Sequence, residues 1–148
     1  MDQPQFWQLI SKIDRQALRD GDEEGAVEPL IDELSQRSEA DIQQFEALLA
    51  QALYDLDGKA HADEAGESGG SGDGFLYARC WVIARGQKFY EGVRANPKKM
   101  PKSLESWCEP LLYAARQAWA ISTGNDEDDW AYETPVSYET GSNAALWK

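Results

Sequence analysis

From Ser38 to Leu56 the apolar residues Ile42, Phe45, Leu48, Leu49, Ala52, Leu53 and Leu56 return every three or four positions. Only a helix of 3.6 residues per turn gathers such a set onto one stripe, and here the stripe persists for about four turns. Ser38 and Asp41 stand at the spacing of a capping box, which satisfies free amide donors at a helix start. The same period recurs elsewhere. Phe6, Leu9, Ile10, Ile13 and Ala17 predict a helix over about 4–17, begun by an Asp2 cap with Pro4 in its first turn. Val27, Leu30, Ile31 and Leu34 predict another beyond a polar loop at 19–25, with Pro29 near its start. Phe75, Ala78, Trp81 and Val82 form a fourth stripe, and Phe89, Tyr90 and Val93 a fifth that Asn96-Pro97 ends. Leu111, Ala114, Ala115, Ala118 and Trp119 form the last, begun by a Ser106/Glu109 capping box and stopped at Gly124 in a left-handed turn. No segment alternates convincingly at the period of a strand.

These stripes predict an all-α fold, a compact single-domain bundle of about five to seven helices over residues 1–124. A chain of 148 residues buries roughly 70% of its unfolded surface without disulfides or metals. Residues 58–72 contain five glycines and no large apolar side chain, which predicts a flexible loop. Residues 125–148 read as an acidic tail whose Trp130, Tyr132, Tyr138 and Trp147 would lie across the helices or bind a partner.

Charge narrows the function classes. The net charge is −13, with 14 acids against 4 bases over residues 1–58 and 4 acids against 8 bases over 73–124. Phosphate backbones are repelled by such a surface, which argues against nucleic acid and suits solubility or a basic protein partner. No apolar run approaches the ~20 residues that cross a bilayer, so no membrane role is expected. The N-terminal Met-Asp-Gln-Pro-Gln lacks the basic and apolar blocks of a secretory signal. Cys80 and Cys108 form no metal or redox motif and read as buried thiols of a cytoplasmic protein.

No residue set carries clear chemistry. His61, the single histidine, falls in the glycine-rich loop, where it is expected to be mobile and solvated. Gly69 to Gly74 precede a helix as phosphate loops do, but no lysine follows and an acid, Asp73, sits where an anion would bind. Asp73 is expected to cap that helix. Asp126, Glu127, Asp128 and Asp129, followed by Trp130, could contact a basic partner; they lack the central glycine and terminal glutamate of a calcium loop. No cofactor and no metal site is therefore expected. Arg79, Arg85 and Arg94, with Lys88, Lys98, Lys99 and Lys102, make the only cationic region, expected mainly to pair with the acidic N-terminal helices.

Two motifs carry a family resemblance. Phe6-Trp7-Gln8-Leu9-Ile10 and the stretch from Asp73-Gly74-Phe75 through Arg79 and Trp81 to Gly86 resemble a bacterial family of unknown function with an FWxLI helix and a DGFxxFRxWLIxxG core. The similarity spans about residues 4–124. Gly69-Gly70-Ser71-Gly72-Asp73-Gly74-Phe75 keeps the glycines and DGF of the family's GGCSDDGF-type segment but lacks its cysteine and one acid. The resemblance implies a fold and no activity. Two functions are thus expected in competition. The first is a non-catalytic protein-binding module, such as an immunity or antitoxin protein. The second is a small-anion-binding domain or enzyme built on Asp73, Arg79 and Arg85.

Overall fold

The computed structural model describes residues 1–148 and consists of helices, turns and extended chain without a strand. The eight α-helices are α1 (Gln3–Ile10), α2 (Arg15–Arg19), α3 (Glu23–Leu34), α4 (Glu39–Asp55), α5 (Lys59–Asp63), α6 (Gly72–Ala84), α7 (Gln87–Ala95) and α8 (Ala114–Thr123). The all-α bundle is as the periodicity predicts.

Local chemistry sets most of the boundaries. Asp2 and Gln5 form a reciprocal capping box at α1, and Ser38 accepts the Asp41 N–H at the start of α4. The expected helix over 4–17 is in fact two. Asp14 turns its carboxylate onto the N–H groups of Gln16 and Ala17, which stops the first helix and begins α2. Asp22 caps α3 in the same way, so Pro29 lies inside that helix rather than near its start. Pro29 has no N–H to offer the Gly25 carbonyl, so the helix continues without that one bond. Gly124 ends α8 with φ +76°, as expected.

α4 is the central rod: α1, α6 and α8 all pack on it, and α8 also packs on α3. Between them lies one apolar core that includes Phe6, Phe45, Leu49, Leu53, Phe75 and Val82. Trp7 closes it against Tyr90, with ring centroids 5.1 Å apart. Cys80 and Cys108 are both fully buried and unbridged. Burial pushes the Cys108 thiol up to about 12, so it stays protonated and unreactive.

Four expectations need correction. Residues 58–72 are not a flexible loop: they fold into α5 and a 3₁₀ turn over Gly66–Gly69. His61 is buried, not solvated, and its Nε2 lies 2.9 Å from the Val93 carbonyl oxygen. Ser68 donates to the carbonyls of Ala65 and Pro101, fastening the turn to a distant connector. Glycine content misleads here because partners thirty residues away supply the order. Asp73 does not cap α6; Ser71 does, accepting the Gly74 N–H at 3.0 Å. Nor do Ser106 and Glu109 form a capping box. Residues Glu109–Tyr113 make a 3₁₀ turn with no side-chain cap.

Beyond α8 the chain becomes a strap. Trp130, Tyr132, Thr134, Val136, Tyr138 and Thr140 are partly buried, and the residues between them are exposed. That period of two is the signature of extended chain lying on a surface. Trp130, Tyr138 and Trp147 all pack against the core.

Candidate functional site

The residues singled out by sequence do not form one site. Asp73 is exposed on the first turn of α6. Arg79, on the same helix, is completely buried and is the largest side chain in the interior. Its Nη1 donates to the Leu53 carbonyl at 2.9 Å and its Nη2 to Thr140 Oγ1 at 3.0 Å, while its guanidinium lies 4.7 Å from the centre of the Phe75 ring. Burial lowers its pKa, against the opposing pull of the Asp57 carboxylate. Arg85 sits elsewhere, at the end of α6, between the Trp81 and Phe89 rings at 5.1 and 4.6 Å.

Arg79 belongs to a clasp that holds the strap. Asp57, also fully buried, accepts from the Gly141 and Asn143 backbone N–H groups at 3.0 Å and from Trp147 Nε1 at 2.8 Å. Asn143 donates to the Tyr54 carbonyl, and Trp147 meets Phe75 edge-on at 6.2 Å. A buried carboxylate with three donors is a satisfied one. Arg79 and Asp57 both tie the strap to the helices.

The acids of the tail are dispersed. Asp126 accepts the Asp128 N–H and opens a 3₁₀ turn over Glu127–Asp129. Glu127 reaches Arg116 at 3.6 Å, and Trp130 packs edge-on against Trp119 at 5.5 Å. Asp128 and Asp129 face solvent.

Under the strap lies a pocket of about 360 Å³ between α4, α8 and the extended chain, walled by Tyr113, Trp130, Tyr132 and Tyr138. Glu46 of α4, Arg116 of α8 and the exposed Glu139 of the strap bring its charge. Glu46 is only 5% exposed and has no hydrogen bond or ion pair within the chain. Burial pushes its pKa up to about 7, with Arg116 pulling the other way. Arg116 stacks over the Tyr113 ring at 4.5 Å, and its buried Nε has no acceptor. Sequence reasoning passed over Glu46, although its place among Ile42, Leu49 and Leu53 (four before, three and seven after) puts it on the buried face of α4.

A second groove, of about 530 Å³, runs between α3 and residues 109–117 on the other side of Tyr113. Asp22, Glu24, Glu28 and Glu109 line it, no lysine or arginine does, and Glu23 joins in an adjoining hollow. Glu23 accepts the Glu109 backbone N–H at 3.0 Å, and burial raises its pKa, with the Glu109 and Glu24 charges adding to the effect. A third groove, of about 370 Å³, has the opposite sign: Arg15, Arg85, Lys88 and Lys99 line it beside Phe89, with no carboxylate. Arg94 instead pairs with Asp55 at 3.7 Å, so the expected pairing of the cationic region with the N-terminal acids is partial.

No helix is long and apolar enough to cross a membrane. Among known proteins, neither a curated protein nor a solved structure matches the chain. A family described as a protein of unknown function, DUF4240, matches residues 1–121. That span takes in α1 to α7 and nearly all of α8, together with both motifs quoted above, and stops short of the strap. The chain belongs to the DUF4240 family.

Proposed function

We propose that this protein is a non-catalytic binding module for a basic protein partner, of the kind that neutralises a toxin as an immunity protein does. The groove between α3 and residues 109–117 carries this reading. Four carboxylates share it, with apolar Val27, Ile31 and Tyr113 on its walls and no cation to offset them. Like charges held together on rigid helices repel one another, and a lysine- or arginine-rich segment relieves that repulsion on binding. The overall charge of −13 adds long-range steering toward such a partner. Tyr113 at the groove's edge offers an aromatic anchor.

The reading is tested by co-purification from native lysate at low salt with the wild-type chain and with a Glu24→Lys/Glu28→Lys variant. A basic protein is expected on the wild type alone, released as salt rises toward about 0.3 M, where charges are screened within a few ångströms. Recovery of the same proteins by both forms would remove the support.

A second reading, binding of a small anion, is favoured by one observation. Arg15, Arg85, Lys88 and Lys99 share a groove and none has a carboxylate partner. Arg85 is the one sequence candidate that stays with this reading, because Arg79 is sealed under the strap. A phosphate or sulfate titration that leaves the thermal midpoint of the wild type and of Arg85→Ala equally unmoved would eliminate it.

A further inference from the structure

Glu46 and Arg116 line one pocket, and neither makes a hydrogen bond within the chain. Arg79 and Asp57, both fully buried, find hydrogen-bond partners in the chain, although Arg79 Nε, like Arg116 Nε, has no acceptor. Glu46 finds none: its stem is buried, its carboxylate opens on the pocket, and no group of the chain bonds to it. Arg116 likewise makes no hydrogen bond. Its one ion pair is from the buried Nε to Glu127 at 3.6 Å, just beyond hydrogen-bond reach. The two do not pair with each other although both face the same cavity.

We propose that this pocket binds the zwitterion of a small α-amino acid. The ligand's ammonium donates to the Glu46 carboxylate, its carboxylate accepts from Arg116, and its side chain lies against Trp130, Tyr132 and Tyr138. A simple cation would leave Arg116 with no acceptor nearer than Glu127 at 3.6 Å, a simple anion would leave Glu46 without a partner, and an uncharged apolar ligand would leave both as they are. A zwitterion answers both charges at once and asks for no net charge in a half-enclosed site. The volume of about 360 Å³ lies near the lower end of ligand pockets, ~300–1,000 Å³, which suits a ligand of amino-acid size. The aromatic walls resemble those of ligand sites generally: apolar, with a few placed polar groups. None of this rests on the acidic groove across Tyr113.

Binding is linked to pH through Glu46. The ionisable groups around it are Arg116 and Tyr113 from the α8 side, Tyr138 and Glu139 from the strap, and Cys80 of α6. Burial raises Tyr138 to about 12 and Cys80 well above its usual range, so neither titrates near neutrality. Glu46 does, at about 7. An ammonium needs the ionised carboxylate, so affinity increases about tenfold between pH 6 and 8 and a proton is released on binding below pH 7.

The test is titration of the full-length protein by calorimetry and tryptophan fluorescence with four probes: L-phenylalanine, L-leucine, phenethylamine and 3-phenylpropionate. At least one amino acid is expected to bind about tenfold or more tightly than either half-ligand. Glu46→Gln is expected to erase the advantage over 3-phenylpropionate, and Arg116→Gln the advantage over phenethylamine. Glu105→Gln, exposed and outside all three grooves, is expected to change nothing. The proposal is overturned if no amino acid binds, if a half-ligand binds as tightly as the zwitterion, or if both pocket variants bind like wild type. Should a variant fail to fold, the wild-type pH profile decides: an affinity flat from pH 6 to 8 overturns it as well.

Discussion

Glu46 shows how one residue can set the pH response of the whole chain. Its pKa is raised from 4.5 to about 7 by burial. Between those values the folded protein holds a proton that the unfolded chain has released, so stability falls as pH rises from about 4.5 to 7 and levels off above. A shift of that size corresponds to about 3 kcal/mol. Glu46→Gln carries no charge, so denaturant melts should show a flatter profile across that window and a gain of about 1–3 kcal/mol at pH 8. Equal profiles for the two proteins would show that Glu46 does not titrate as its burial implies. Gly86 makes a different demand on its position. Its φ of +100° is one that side chains resist, and an added Cβ would also run into the Arg15 guanidinium. Gly86→Ala should cost about 1–3 kcal/mol in the same assay, whereas an unchanged midpoint would mean that the turn relaxes freely.

At the scale of elements, the strap and α5 are held by hydrogen bonds to carbonyls near helix ends, each of which also accepts a backbone N–H. The Tyr54 and Leu53 carbonyls at the end of α4 accept from Asn143 and Arg79, and the Val93 carbonyl near the end of α7 meets His61. Asp57, just past α4, gathers three donors from residues 141–147. Asp57→Ala strands all three and leaves Arg79 without its nearest opposing charge. A loss of about 2–4 kcal/mol is expected, together with rapid proteolytic cleavage of the strap while the helices stay protected. A strap as resistant as in the wild type would show that aromatic packing alone retains it. The strap's alternation was written in the sequence, in the every-other-residue run from Trp130 to Thr140. It is easy to miss because its period of two is carried partly by threonines, and no partner strand completes a sheet.

Across the whole molecule, the strap lies outside the span that matches the family, yet it completes the pocket at Glu46 and covers Arg79. A chain ending at Gly124 would expose Phe75, Arg79 and Asp57 to water. It should unfold at a lower denaturant concentration, with at least about 3 kcal/mol lost, and expose apolar surface to a hydrophobic dye. If the shortened chain melts like the full one, the helical domain closes by itself and the strap serves only the pocket. The three grooves divide the surface by charge: acidic beside α3, basic beside α7, and mixed beneath the strap. Separate faces of one small bundle therefore suit chemically different ligands.

The helices were legible because what makes them is local. An apolar residue every three or four positions, and a capping oxygen at the starts of α1, α2, α3, α4 and α6, are short-range facts; α5, α7 and α8 start without a side-chain cap. Arg79 as a buried group was half-legible, since it falls on the stripe of Phe75 and Val82. What it bonds was not, because Thr140 lies sixty-one residues away and Asp57's donors more than eighty. The order of residues 58–72, the isolation of Glu46 and the sorting of charge into three grooves arise only when distant segments meet. Burial and electrostatic pairing depend on distance in space, and sequence spacing encodes that distance only within a helix or an extended segment.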